Sequence, residues 1–173
     1  MPDHADAPGQ GLPPEATLLP LMTGYWAAQA IAEFARLGLA DLLADGPASA
    51  RDLAATSDSH PQSLHRLLRA LASIGVLAEP TPETYALTPV TALLRSGTPD
   101  SMRSLAMAYG NELFQAWNDF SFSVQTGKPA FAHHFGMDPF AFYAANPEAD
   151  RIFNQAMIGY THRVAEALVA AYD

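Results

Sequence analysis

Between Leu39 and Gly97 the chain is punctuated so closely that the order of its elements is nearly forced. LADLLADG is a short helix closed by Gly46 and Pro47. SARDLAATS begins with Ser49 as N-cap and places Asp52 at the third helical position, a variant of the capping box. Ser59 or His60 then precedes Pro61, and proline suits the first position of a helix. In that helix Leu64, Leu67, Leu68, Leu71 and Ile74 form one apolar face. Gly75 stands where a helix C-terminus favours positive φ. VLAE and TYALT alternate and are joined by PTPE, which predicts a hairpin. Thr88-Pro89 caps and opens another helix, PVTALLRSG, ending at Gly97. Three helices followed by a hairpin is the order of a winged helix-turn-helix, so the fold is expected to be mainly α with a small β wing.

That order leaves two readings for Leu64–Ile74. As a DNA reader the helix would present Gln62, His65, Arg66 and Arg69 to a major groove. As a structural module it is the third helix of a small core. Charge speaks against the first: Gly38–Arg95 holds four basic and six acidic residues, and the whole chain carries 9 Lys+Arg against 18 Asp+Glu, a net −9. A phosphate-binding surface requires the opposite balance. The absence of cysteine excludes disulfides, a thiolate nucleophile, zinc ribbons and iron–sulfur ligation. There is no signal-type apolar region and no run of about 18 apolar residues, so no membrane span is expected and the cytoplasm is the default location.

Residues 1–14 are polar and rich in Pro and Gly and read as a disordered arm. From residue 15 to 37 the composition is helical. Leu19, Met22, Trp26, Ala30 and Phe34 recur every three or four residues, and Pro20 and Gly24 are expected to kink or divide the helix. Trp26, Ile31 and Phe34 need an apolar surface, either the chain's own core or a partner chain. The composition then shifts near residue 108, giving two parts, 15–108 and 109–173. Tyr109–Tyr160 holds eight of the nine Phe, one of the two Trp and three of the six Tyr. There NELFQAWNDFSFSVQTG reads as one helix, KPAFAHHFGM as a loop and DPFAFYAAN as a short helix capped by Asp138. A final helix opens at Asn146-Pro147 and carries Phe153, Met157, Tyr160, Val164 and Leu168 on one face.

Several chemistries lack the residues they need. No GxGxxG loop and no GxSxG elbow is present. His133 and His134 are adjacent, and His60 and His65 are five apart, so neither pair has metal-ligand spacing. No catalytic, cofactor-binding or metal residue is therefore singled out. What remains is the aromatic part, whose rings at helical spacing serve either an ordinary core or a pocket. A pocket wall of Phe114, Trp117, Phe153, Met157 and Tyr160, with Asn111, Asn118, Asn154 and the Tyr160 hydroxyl as polar tips, would suit a flat aromatic ligand.

The run from Gly38 to Leu94 resembles the N-terminal domain of class I S-adenosylmethionine-dependent small-molecule O-methyltransferases. The resemblance rests on Leu37-Gly38 with Asp41-Leu42, Asp52-Leu53-Ala54, Leu67-Leu68-Arg69-Ala70-Leu71, Gly75-Val76-Leu77 and Tyr85-Ala86-Leu87-Thr88 leading to Leu93-Leu94. Trp117, Gly127-Lys128-Pro129-Ala130, Phe135-Gly136 and Phe153-Asn154-Gln155-Ala156-Met157 continue it, and bacterial enzymes acting on aromatic polyketides and similar natural products are the most similar members. The resemblance implies a homodimer interlocked through its N-terminal helices and a structural, not DNA-reading, winged helix. It also implies an acceptor pocket drawn from Phe114, Trp117, Phe153, Asn154, Met157 and Tyr160. In such enzymes the last helix leads into a Rossmann-like domain that holds S-adenosylmethionine and the catalytic base. No position here matches either, so the 173 residues alone are expected to be inactive and to bind no cofactor, with the Rossmann-like domain missing or separate. The alternatives are a free-standing small-molecule carrier or cofactor-independent enzyme, and, against the charge balance, a winged-helix regulator.

Overall fold

The computed structural model describes residues 13–172; the expectation of a disordered arm falls, for residues 1–12, outside them. The chain is mainly α-helical. A long helix α1 (Pro14–Arg36) is followed by α2 (Leu39–Leu42), β1 (Ala48–Ser49), α3 (Ala50–Thr56), α4 (Pro61–Ser73) and the hairpin β2 (Leu77–Thr81) and β3 (Thr84–Leu87). The antiparallel sheet has the order β1-β3-β2, with Ala48 opposite Tyr85 and Leu77 opposite Leu87. Helices, then hairpin, is the order the punctuation predicts. The caps are also where expected. Ser49 Oγ accepts from the Asp52 N–H at 3.1 Å and donates to the Asp52 carboxylate at 2.7 Å. Thr88 and Thr91 form a reciprocal capping box on α5 (Pro89–Ala92). Gly75 has φ +74°, the left-handed conformation that stops α4.

The core lies between α1, α2, α3, α4 and the hairpin, where Phe34, Leu39, Leu43, Leu53, Leu68, Leu71 and Tyr85 are buried. Tyr85 is fully buried and its hydroxyl lies 3.2 Å from His65 Nδ1, so His65 turns toward the hairpin. Helix α6 (Arg103–Gly110) packs against α1 on one side and α11 (Pro147–Tyr172) on the other. Arg103 fastens it: Nε donates to the Ala35 carbonyl at 2.9 Å and Nη1 to Asp41 Oδ2 at 3.1 Å. Asp41 Oδ1 also accepts from the Ser96 N–H at 2.8 Å.

Five local expectations are corrected. Pro20 and Gly24 do not divide α1, which is continuous; next to the hydrogen bond that Pro20 removes, Thr23 Oγ1 donates to the Leu19 carbonyl at 2.9 Å. Helices α2 and α5 are single turns, stopping short of Gly46 and Gly97. Residue 14 belongs to α1, because proline is tolerated at a first helical position. The single helix expected from Asn111 to Gly127 is three pieces: α7 (Glu112–Ala116), a 3₁₀ turn at Trp117–Asp119 and α8 (Phe120–Thr126). The tighter turn presents Asp119 to His134, whose Nδ1 lies 2.9 Å from the carboxylate. The loop expected at residues 128–137 contains α9 (Ala130–Phe135), stopped by Gly136. Phe131 and Phe135, four apart on it, pack on each other and on Phe142 of α10 (Pro139–Ala145), with centroids 4.5–5.4 Å apart. Among the described residues no helix is long and apolar enough to cross a membrane.

Candidate functional site

The aromatic residues of the C-terminal part are held by short helices whose ends are defined by local chemistry. Asp138 caps α10 by accepting from the Phe140 and Ala141 N–H groups at 2.9 and 3.1 Å. Pro147 opens α11 directly after the Asn146 turn, so α10 and α11 fold back on each other. Tyr143 and Phe153 thereby stack, with centroids 4.4 Å apart and ring planes at 21°. Beside this stack lies a hollow of about 410 Å³ lined by Phe140, Tyr143, Asp150, Phe153 and Asn154 together with Pro139, Ala144 and Pro147. It offers three rings and two polar side chains, at a size suited to a small ligand.

The base of this wall is unusual. Glu112, the first residue of α7, is 2% exposed, and its Oε1 accepts from the Tyr143 hydroxyl at 3.2 Å. Burial pushes the Tyr143 phenol well above its ordinary range, and the negative charge and hydrogen bond of Glu112 push it the same way. Tyr143 is therefore a firmly protonated donor whose proton is committed to Glu112.

Two further concavities are present. A hollow of about 570 Å³ is lined by Tyr25, Phe114, Trp117 and Asn118. Tyr25 and Phe114 stack there at 6.3 Å, and the Trp117 ring meets Phe120 at 4.9 Å. A larger, more polar cleft of about 890 Å³ runs between α1, α6 and the α10–α11 junction, with Gln29, Arg36, Arg103, Glu112, Asn146 and Arg151 among its lining. The six residues singled out from sequence are thus distributed. Phe114 and Trp117 share the Tyr25 hollow, and Phe153 and Asn154 share the Tyr143 hollow. Met157 is half-buried and Tyr160 is 58% exposed, and neither lines these three concavities. Sequence reasoning passed over Tyr143, Phe140 and Glu112. The Asp138-Pro139 cap and the short aromatic run FAFY were the available signal for the first two, whereas the burial of Glu112 had none.

Residues 19–97, the segment that holds the core described above, match the model of the O-methyltransferase dimerisation domain. These residues form an O-methyltransferase dimerisation domain. Among relatives of the chain, the phenazine O-methyltransferase PhzM of Lysobacter antibioticus is 49% identical over 94% of this chain and 48% of its own length. The 3-amino-4-hydroxybenzoate 4-O-methyltransferase of Streptomyces cremeus is 40% identical over 83% of this chain and 40% of its own length. Among solved structures, that of LaPhzM superposes with a TM-score of 0.90 at 49% identity, covering 94% of this chain and 49% of that one. The chain spans about half the length of the curated relatives it matches.

Proposed function

We propose that these residues form the dimerisation and acceptor-binding part of an S-adenosylmethionine-dependent methyltransferase acting on a small, flat aromatic molecule in the cytoplasm. The observation that carries the proposal is the Tyr143 hollow, with stacked rings at its back and Asp150 and Asn154 at its edge. Flat rings are held by stacking and edge contacts of this kind. The substrates in relatives' names, a phenazine and an aminohydroxybenzoate, are planar aromatic molecules of the class this wall fits. Asn154 is placed to orient a polar substituent, and the Phe114–Trp117 hollow supplies a second aromatic face. In this reading Met157 and Tyr160 lie farther along α11 and come into play only when another surface covers that helix. Division near residue 108 into an assembly part and an acceptor part follows the same reading. The homodimer contact is assigned to α1, whose N-terminal half is apolar and exposed.

The methyl donor does not fit the residues described. The sheet is a three-stranded antiparallel wing, and no strand feeds through a glycine loop into a helix N-terminus, the arrangement that receives a nucleotide-like cofactor. No step of methyl transfer is therefore assigned to these side chains. Their contribution is to bind and orient the acceptor, which by itself supplies much of the rate in a bimolecular transfer. The test is titration of the 173-residue chain with 1-hydroxyphenazine, followed by tryptophan fluorescence and calorimetry, alongside Phe153→Ala and Asn154→Ala. Micromolar binding that weakens about tenfold in Phe153→Ala is the expected result. Absence of binding, or binding indifferent to both substitutions, refutes the proposal.

A further inference from the structure

We propose that Glu112 is a positioning residue for the aromatic wall: its buried carboxylate accepts the Tyr143 hydroxyl and fixes that ring against Phe153 at the back of the 410 Å³ hollow. The inference rests on the acceptor-binding reading above and adds to it a residue outside the hollow's own lining.

A carboxylate is a costly choice at this place. Glu112 is 2% exposed, and among the described residues it forms no ion pair. Burying an acidic side chain is unfavourable even where arginines line the same cleft, and an apolar side chain of similar size would pack there at lower cost. What the carboxylate supplies is direction. Ring stacking is broad in its preferred geometry, and a tyrosine held by stacking alone can slide or swing about its χ angles. A hydrogen bond to a carboxyl oxygen is short-range and directional. Glu112 sits at the first position of α7, Tyr143 in the last turn of α10 and Phe153 in the second turn of α11. The Glu112–Tyr143–Phe153 chain of contacts thus ties three helices to one ring orientation. The phenol stays protonated well beyond neutral pH, so the tie is intact under ordinary conditions.

Structural stapling and positioning make different forecasts, and four variants of the 173-residue chain separate them. Glu112→Gln keeps an oxygen that can accept from Tyr143; its affinity for 1-hydroxyphenazine should stay within about threefold of the original. Tyr143→Phe keeps the ring but frees it, and affinity should fall about tenfold, the effect of one lost directional hydrogen bond. Glu112→Leu alone should behave like Tyr143→Phe. The double variant Glu112→Leu with Tyr143→Phe replaces the polar pair by an apolar one and is expected to melt no lower than the parent. Its affinity should nevertheless remain about tenfold weaker. If the double variant is as stable as the parent and binds 1-hydroxyphenazine equally well, Glu112 is only a staple and the proposal is overturned. Rescue failing in Glu112→Gln while its melting temperature is unchanged overturns it as well. Should any single variant fail to fold, the double variant and Glu112→Gln still decide. A parent chain that does not bind 1-hydroxyphenazine at all instead removes the acceptor site, and with it this role.

Discussion

Gly110 is the position where one added methyl group should do most damage. It is the last residue of α6, and its backbone is not in the positive-φ region, so conformational freedom does not explain the glycine. Space does. A Cβ built there would lie 2.1 Å from the Ala32 Cβ on α1, with the Ala32 Cα only 3.6 Å away. Carbon atoms attract best at about 3.5–4.0 Å, so the helices would have to part by more than an ångström. Ala32 and Ala108 are 7% and 1% exposed at this crossing, and the parting would loosen a buried contact along two helices. Overpacking of this kind costs about 1–3 kcal/mol, and the helical gain of Ala over Gly returns up to about 1 kcal/mol, less at a helix end. Gly110→Ala should therefore destabilise by roughly 2 kcal/mol, lowering the melting temperature by about 4–8 °C in a domain of this size. The assay is thermal and urea denaturation followed by far-UV circular dichroism. Adding Ala32→Gly should restore room, making the pair less unstable than the sum of the single changes by about 1 kcal/mol. Gly24→Ala in α1 is the contrast, because nothing lies within 4 Å of its added Cβ. A melting temperature for Gly110→Ala equal to or above the parent's would refute the packing argument.

Removing the Ser49 cap with Ser49→Ala should cost about 1 kcal/mol, seen as a lower urea midpoint with unchanged slope. Asp41→Ala loses both the Ser96 N–H and Arg103 contacts and should cost about 1–2 kcal/mol, while Asp41→Asn should retain part of that; urea melts of the three proteins check the order. Alkaline stability should depend on Tyr143. Its folded-state pKa lies above the ordinary 10.0, so its contribution is complete below pH 10 and drains away as pH rises toward the folded value. Urea melts from pH 8 to 11 should show a shallower loss in Tyr143→Phe. Light scattering at micromolar concentration should give a dimer, and Leu21→Glu or Met22→Glu should convert it to a folded 18.5 kDa monomer.

The first half of the fold was legible because each element boundary is marked by a residue acting locally. Ser49, Pro61, Gly75 and Thr88 do their work within a few residues, so a linear pattern reveals them. The segment from Asn111 to Gly136 was harder because helical spacing persists across a change of helix type. Phe114, Trp117 and Phe120 fit one continuous helix, yet a 3₁₀ turn intervenes at Trp117–Asp119. The candidate site follows the same division. Phe153 and Asn154 could be chosen from their place on α11, whereas Tyr143 and Glu112 meet across 31 residues through a contact that no local pattern encodes. A buried glutamate also looks, in sequence, like any acidic residue in the first turn of a helix, where the dipole favours it.

In the proposed reading, helix α1 joins the assembly surface to the aromatic part of the molecule. Its C-terminal half contributes Ala32, Phe34 and Ala35 to the core, while Leu18, Leu21, Met22, Tyr25 and Trp26 in its N-terminal half are 51–75% exposed. A row of that kind is too apolar to be left in water at no cost, and a second copy of the domain is the covering surface proposed above. Tyr25 belongs to both roles, since the same ring stacks on Phe114 and lines the hollow with Trp117. A substitution at Tyr25 would therefore alter ligand binding and association together. Leu21 and Met22 line none of the three concavities and can be changed to test association alone. If a dimer-breaking change at Leu21 also weakens 1-hydroxyphenazine binding while the monomer stays folded, the two functions are coupled through α1. Unchanged binding in that monomer would show that the aromatic wall is complete within one chain.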